Sequence, residues 1–455
     1  MKAHTPLTQR TGLGQCLSAI MALFIAISSV SGQSPSHPDS KSPLKPNQYL
    51  RHQDPWRWDI TSQLILNADL IAGRYGNDND LVYNDERRNQ YTTRTWDLPN
   101  FEFIYPVVRE GGFYWSPNED IASQLRIDGI RYTPEPEVLQ TPDTHAKYAW
   151  WRSNQRDEKT QELYFSQVSH IVSADTVFEE ERAKQIPWPK DWPEDAARFL
   201  TPVVDRVTRP IDPDGANRIE QLVNYWTQDQ DPKSIDQVTL TKFLTGKVIE
   251  YVKVTRGRTE FVQTIRPSAQ NRRLTDLEGN PNVPTAVPTS TYSGFNARSA
   301  DQIALDPEGS ELDLATLLTA VFRQAGVPAR TVICFDRTLE DEQDKRITAL
   351  VEFAMFDPVS DQTLWVPVDP IRLRDSGRRS NNYEQRWLYF GTHDKLHNLV
   401  PLAYYFHPPV NYKAYGYPSL YGIKTTPDIG TNISQFLSID VMNTPVKAED
   451  FRQDP

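Results

Sequence analysis

Cysteine is almost missing from this chain: 2 of 455 residues, Cys16 and Cys334. With Cys16 ahead of an apolar leader-like run, only Cys334 is left for the body of the protein, so no disulfide framework is available to it. Histidine is scarce as well, with 8 residues and none between His170 and His393. That gap rules out a Cys–His pair built from the middle of the chain, where Cys334 is the sole thiol. Lys/Arg clusters are also lacking. The formal net charge is -11, and an acidic chain without a basic stripe gives no support for nucleic-acid binding. The long apolar run is Leu17 to Val30, "LSAIMALFIAISSV". Lys2 and Arg10 precede it and the small residues Val30-Ser31-Gly32 follow it, which predicts an export signal over 1–32. A retained anchor is the alternative, although the run is short for a membrane span. Cleavage before Gln33 removes two positive charges and takes the net charge from -11 to -13. The expected location is therefore periplasmic, cell-envelope or extracellular, with no stable membrane span after signal removal.

What the chain does contain is enough apolar material for a core, 38% hydrophobic and 11% aromatic, together with 35 prolines that favour turns and irregular connections. Residues 33–55 are Pro/Ser-rich and polar and read as a flexible linker. From 56 to 205 the segments are short and strand-like: "NFEFIYPVV" (100–108), "KYAWWRSN" (147–154) and "ELYFSQVSHIVSADTVFE" (162–179). The last two, joined by "NQRDEKTQ", read as a hairpin with a long loop. This half is expected to be a β-sandwich-like domain. Near 205 the pattern changes. Ile219, Leu222, Val223 and Trp226 fall at helical spacing, and "VTLTKFLTGKVIEYVKV" is a second helical candidate. Residues 267–290 read as a surface loop, and 376–455 as a loop-rich aromatic C-terminal region.

The most informative stretch is Glu308 to Arg330, "EGSELDLATLLTAVFRQAGVPAR". Leu314, Leu317, Leu318, Val321, Phe322 and Ala325 form one apolar helix face, and Gly326 and Pro328 end the helix. Ser310 is a good N-cap with Asp313 three residues on, and acidic groups suit the first turn, so this helix start needs no functional explanation. "RTVICFD", "ITALVEFAMFD" and "TLWVPVDP" follow as successive antiparallel strands. In the second of these, Thr348 and Glu352 share a face opposite Ile347, Ala349, Val351, Phe353 and Met355.

This order of pieces resembles the transglutaminase-like superfamily, whose core is related to papain-type cysteine proteases. The family pattern is a Gly-x-Cys-x-Asp segment opening a helix that ends in a GIPAR-like run. A strand beginning His-Ala-Trp-x-Glu comes next, and then WxxxDP. Here "GSELDLATLLTAVFRQAGVPAR", "TALVE" and "WVPVDP" stand in that order. The resemblance covers about two-thirds of the chain and is densest over 290–370. It implies an α+β fold: a papain-like, transglutaminase-like core over 206–375, a helix packed on an antiparallel sheet, preceded by the β-rich domain. It also implies a Cys–His–Asp triad, in which the thiol attacks an amide, the imidazole activates it and the carboxylate orients the imidazole. By position the Cys place is Glu311, the His place Thr348 and the Asp place Asp369, so only the third is kept. A carboxylate is a poor nucleophile towards amides, and a threonine is no base near neutral pH. Glu352, Trp365 and Asp313 are the further candidates for the cleft.

Cys334, within an apolar run, reads as a buried strand residue rather than a nucleophile. His393 and His397 are four apart, as a metal pair on a helix would be, but no third ligand stands nearby, and no metal or other cofactor is expected. The aromatics at 404–421, with Trp150 and Trp151, suit either a binding surface or core packing. The expected protein is an exported, catalytically inactive transglutaminase-like pseudoenzyme that binds or scaffolds an envelope or extracellular polypeptide or glycan. One alternative is a hydrolase using a carboxylate pair, Glu311 with Glu352 or Asp369. Another is active amide chemistry, against which the missing Cys and His stand. A purely structural domain is the last.

Overall fold

The computed structural model describes residues 47–67, 96–97, 100–116, 122–132, 135–140, 147–153, 159–160, 162–203, 210–256, 291–292, 297–338, 346–376, 383–408, 412, 420–426 and 434–445. Along the chain come strands β1 (Leu50–Asn67), β2 (Asn100–Val107), β3 (Ala122–Ile127), β4 (Glu137–Gln140), β5 (Lys147–Ser153) and β6 (Glu162–Phe178). Helices α1 (Pro213–Thr227), α2 (Gln237–Tyr251) and α3 (Glu311–Gln324) follow. Next are β7 (Ala329–Asp336), β8 (Arg346–Asp357), β9 (Gln362–Val368) and the short α4 (Pro370–Asp375). Strands β10 (Leu399–Ala403), β11 (Gly422–Thr426) and β12 (Ser434–Pro445) close the series. The architecture is mixed α/β with antiparallel sheets.

The first sheet has the order β12–β1–β6–β3, and the second β11–β2–β5–β4. In β1, Trp58, Ile60, Leu64 and Leu66 are buried at every second or fourth position, the period of a strand with one covered face. These two sheets meet through aromatic rings. Phe103 of β2 and Trp151 of β5 lie 5.2 and 5.1 Å from Phe165 of β6, centroid to centroid, and Tyr105 lies 4.5 Å from the same ring. This packing corrects the hairpin expected from 147–179. β5 pairs with β2 and β4, β6 with β1 and β3, and the two strands touch face to face instead of edge to edge. Alternation alone cannot tell these two arrangements apart, because both bury the same residues.

Two other boundaries move. β1 starts at Leu50, so the last six residues of the expected linker are strand; residues 33–46 lie outside the described residues. The C-terminal stretch, read as loop-rich, supplies β10 to the third sheet, β11 to the second and β12 to the first. The 267–290 loop and the 1–32 leader lie outside the described residues.

The helices form where the sequence pattern puts them. Asp212 caps α1 by accepting from Asp214 N–H (3.0 Å), with Pro213 at the first turn, and Asp236 caps α2 by accepting from Thr239 N–H (2.9 Å). Both pack on α3. Gly326, at φ +81°, ends α3 in the left-handed region that favours glycine. The third sheet, β9–β8–β7–β10, is covered on both faces, so every residue of β7 is buried. Fully buried Lys242 of α2 joins Glu180, after β6, to the carbonyls of Tyr383 (3.3 Å) and Gln385 (2.9 Å), fixing the helical layer to the crossing segment. Among the described residues no helix is long and apolar enough to cross a membrane.

Candidate functional site

The start of α3 is a capping box. Ser310 Oγ accepts from Asp313 N–H (3.3 Å), and the Asp313 carboxylate accepts from Ser310 N–H (3.0 Å). Arg298 Nε adds a charge-assisted bond to Asp313 at 3.1 Å. Asp313 is therefore committed to the helix start. It is not among the residues that line the cavity described below. Glu311, the next residue after the cap, accepts from Arg374 of α4 at 2.9 Å. Asp369 caps α4, accepting from Ile371 N–H (3.1 Å) and Arg372 N–H (2.9 Å). Glu311 and Asp369 are thus tied to the same short helix. Thr348 is buried in β8 opposite Cys334 of β7, and alternation places it on the sheet face shared with Leu350 and Glu352. α3 packs on the other face, where Phe322 lies 5.7 Å from Phe353 and the Thr319 and Thr331 hydroxyls are 2.8 Å apart. Two of the three triad-related positions are linked through α4; the third is on the sheet face turned away from α3.

Cys334 is fully buried, as its apolar setting implies. Burial pushes its thiol pKa well up, and the charges of Glu352 and Asp336 push the same way. A thiol so placed holds almost no thiolate near neutral pH.

The densest polar cluster lies on the Thr348 face, around Glu352. This carboxylate is 0% exposed. One oxygen accepts from Gly112 N–H (2.7 Å) and the other from Arg330 Nε (2.8 Å), directly across the β7–β8 ladder. Burial raises the Glu352 pKa, while Arg330 and the Gly112 N–H pull it back. Burial works against the Arg330 charge, but the surrounding oxygens of Tyr404 and Glu352 raise its pKa above the ordinary value. Both values go up, which favours the neutral form of the acid and the charged form of the base. Arginine keeps its proton in proteins, so near neutral pH the pair is an ion pair that a buried guanidinium holds together.

The guanidinium is itself sandwiched. Its carbon lies 4.1 Å from the Trp365 ring centroid and 4.6 Å from that of Tyr404. Tyr114 donates to Tyr404 Oη at 2.6 Å, and Tyr404 donates to the Glu110 carbonyl at 2.7 Å. Burial raises the Tyr404 pKa to about 12, so it stays a donor. Above this cluster is a cavity of about 550 Å³. It is bordered by His52 of β1, residues 109–112 after β2, Lys147 of β5 and residues 362–365 of β9. Trp365 lines it, and Glu352 lies directly beneath as partner of Arg330. Sequence reading misses Arg330, Gly112 and Tyr114, and takes Tyr404 only as one of the aromatics at 404–421. The available signal is a pair of charges, Arg330 and Glu352, set in otherwise apolar strands.

The rival features resolve differently. His393 lies outside a helix and its Nε2 is 3.0 Å from the Pro367 carbonyl, while His397 Nδ1 is 2.9 Å from Asp175. Among the described residues no three His, Cys, Asp or Glu side chains are grouped to hold a metal. Trp151, Tyr405, Phe406 and Tyr421 are buried, and Trp150 and Tyr404 are half-buried.

Comparison with known proteins agrees with the order of motifs. Residues 283–370 match the model of the transglutaminase-like superfamily. The chain carries a transglutaminase-like domain over these residues. No curated protein matches. Among solved structures, a candidate cysteine protease from Cytophaga hutchinsonii is similar at 11% identity and TM-score 0.42, over 89% of this chain and 96% of that one. A candidate protease from Parabacteroides distasonis ATCC 8503 is similar at 10% identity and TM-score 0.16, over 72% of this chain and 71% of that one.

Proposed function

We propose that this is an exported transglutaminase-like protein that has lost thiol chemistry and now binds an envelope or extracellular ligand in the cavity above Arg330 and Glu352. On this reading α3 against β7–β9 is a papain-like core, and the two ring-packed sheets are a sandwich-like N-terminal domain. The observation that carries the reading is the state of the acidic groups. Glu311 is held by Arg374, Asp369 by two backbone N–H groups of α4, and Glu352 by Arg330 and Gly112 N–H. No carboxylate at these positions is left poised as a general base, which speaks against the Glu311 pairings with Glu352 or Asp369. The buried Cys334 and the absence of histidine between His170 and His393 speak against amide transfer.

The test is turnover by the purified mature chain. Ammonia release from glutamine peptides and hydrolysis of casein or glycan substrates are expected to stay at the level of a heat-inactivated control. Hydrolysis or transamidation abolished by Glu311→Gln or Glu352→Gln would replace this reading with the carboxylate enzyme. Fractionation of the native cell, with the protein retained inside, would overturn the export half.

A further inference from the structure

The wall of the cavity formed by β9 is a sheet edge, met at Trp365 by Gly112 and at 367–368 by residues 390–391. β9 is the outer strand of the third sheet, beside β8. The Pro367 carbonyl points out of that edge, because Gly391 N–H donates to it at 2.7 Å. On the β8 side, Ala354, the register partner of Trp365, sends its N–H to the Pro328 carbonyl (2.8 Å) and not to β9. Both observations fix the phase of the ladder. In an antiparallel strand the outward groups belong to alternate residues, so Trp365 and Thr363 point the same way as Pro367. The Trp365 carbonyl is covered, since a β-carbon on Gly112 would collide with it. The Thr363 N–H and C=O and the Trp365 N–H take no backbone partner across this edge among the described residues. Thr363 and Trp365 both line the cavity.

A second observation concerns charge. Arg109 lines the same cavity, and its Nε is buried with no acceptor among the described residues. A buried guanidinium N–H without an acceptor is costly, and a carboxylate is its best partner. Lys147 lines the cavity as a further cation. Asp195 also lines it but already accepts from the Thr363 hydroxyl at 3.2 Å.

Resting on the binding role proposed above, we propose that the Thr363–Trp365 edge accepts an extended polypeptide segment as an added strand, and that a carboxylate side chain of that segment bonds Arg109. Backbone groups give a strand-adding site its affinity, and the pocket beside the edge gives it side-chain choice. A glycan offers no alternating N–H and C=O row to match the three open groups, so the occupant is polypeptide.

The experiment uses the mature chain and short extended peptides in two sets, identical except for a fixed Glu in one and Gln in the other. Calorimetry is expected to show the Glu set binding about tenfold more tightly or better. Hydrogen exchange at the Thr363 and Trp365 amides is expected to slow on binding. Arg109→Gln should erase the Glu preference. Thr363→Pro removes one outward N–H at an edge position where proline is tolerated, and should weaken both sets about tenfold. Equal affinity of the two sets, or binding without slowed exchange at 363 and 365, overturns the proposal. Binding of hexagalacturonate in place of peptides overturns it and leaves the binding role standing. Binding of neither probe, or cleavage of the peptide, overturns both.

Discussion

Glu352 is the test of how the cavity floor is built. Glu352→Leu removes the carboxylate and leaves the Arg330 charge, only 7% exposed, between two rings with no counter-ion. It also leaves Gly112 N–H without its acceptor. Breaking a buried pair from one side costs about 3–5 kcal/mol, because the surviving charge is desolvated and uncompensated. Arg330→Met should cost a similar amount, since it leaves Glu352 alone at 0% exposure. Arg330→Met combined with Glu352→Leu removes both charges and should be far more stable than the sum of the singles, with a coupling of about 2–3 kcal/mol. Glu352→Gln keeps an acceptor for Gly112 N–H and should fall between wild type and Glu352→Leu. Equilibrium urea unfolding of the four variants and wild type, read by tryptophan fluorescence, measures each value. Single variants that cost under about 1 kcal/mol, or an additive cycle, would mean that water reaches the pair, and the account of a dry floor would be wrong.

Two further outcomes follow from the same geometry. Burial pushes the His393 pKa down to about 3, with Arg372 adding to the effect, whereas an unfolded histidine titrates near 6.5. Between those values the unfolded chain holds the extra proton, so stability should fall as pH falls, by up to about 1.4 kcal/mol per pH unit. His52, also lowered by burial, adds with the same sign. His393→Gln should flatten this limb of a urea-midpoint profile taken from pH 7 to 4, and an unchanged slope would refute the assignment. Gly112→Ala should destabilise by about 1–3 kcal/mol, because its β-carbon meets the Trp365 backbone carbonyl rather than a movable side-chain end. A thermal midpoint equal to wild type would show that β9 and the 110–112 turn are not in close contact.

How much of this was legible in the sequence depends on the range of the interaction that fixes each feature. α3 and its capping box are local: Ser310, Asp313 and the Leu314–Ala325 face lie within a few turns, and each is readable. β7, β8 and β9 are readable too, since alternation and short connections fix their order. The Arg330–Glu352 pair needs the register of two strands. The Gly112 N–H that completes it comes from 240 positions away, so no local pattern announces it. Thr348 and Glu311 share a motif order, yet the face each occupies is set by packing, and here the two faces differ. The strand β12 was missed although Leu437, Ile439 and Val441 alternate with Ser438 and Asp440, because its partners, β1 and Thr291–Tyr292, lie far back in the sequence.

That last pairing has a consequence for how the chain is made. β1 is finished on one side by β6 and on the other by β12, with Ile60 opposite Ser169 of β6 and Val441 of β12. Ile60 and Val441 are about 380 positions apart, among the most distant contacts a chain of this length can make. During synthesis, one long edge of β1 stays unpaired until residues 434–445 arrive. A product truncated before β12 would keep that edge bare, a template for aggregation and an entry for proteases. The first sheet is therefore completed only when residues 434–445 are in place beside β1.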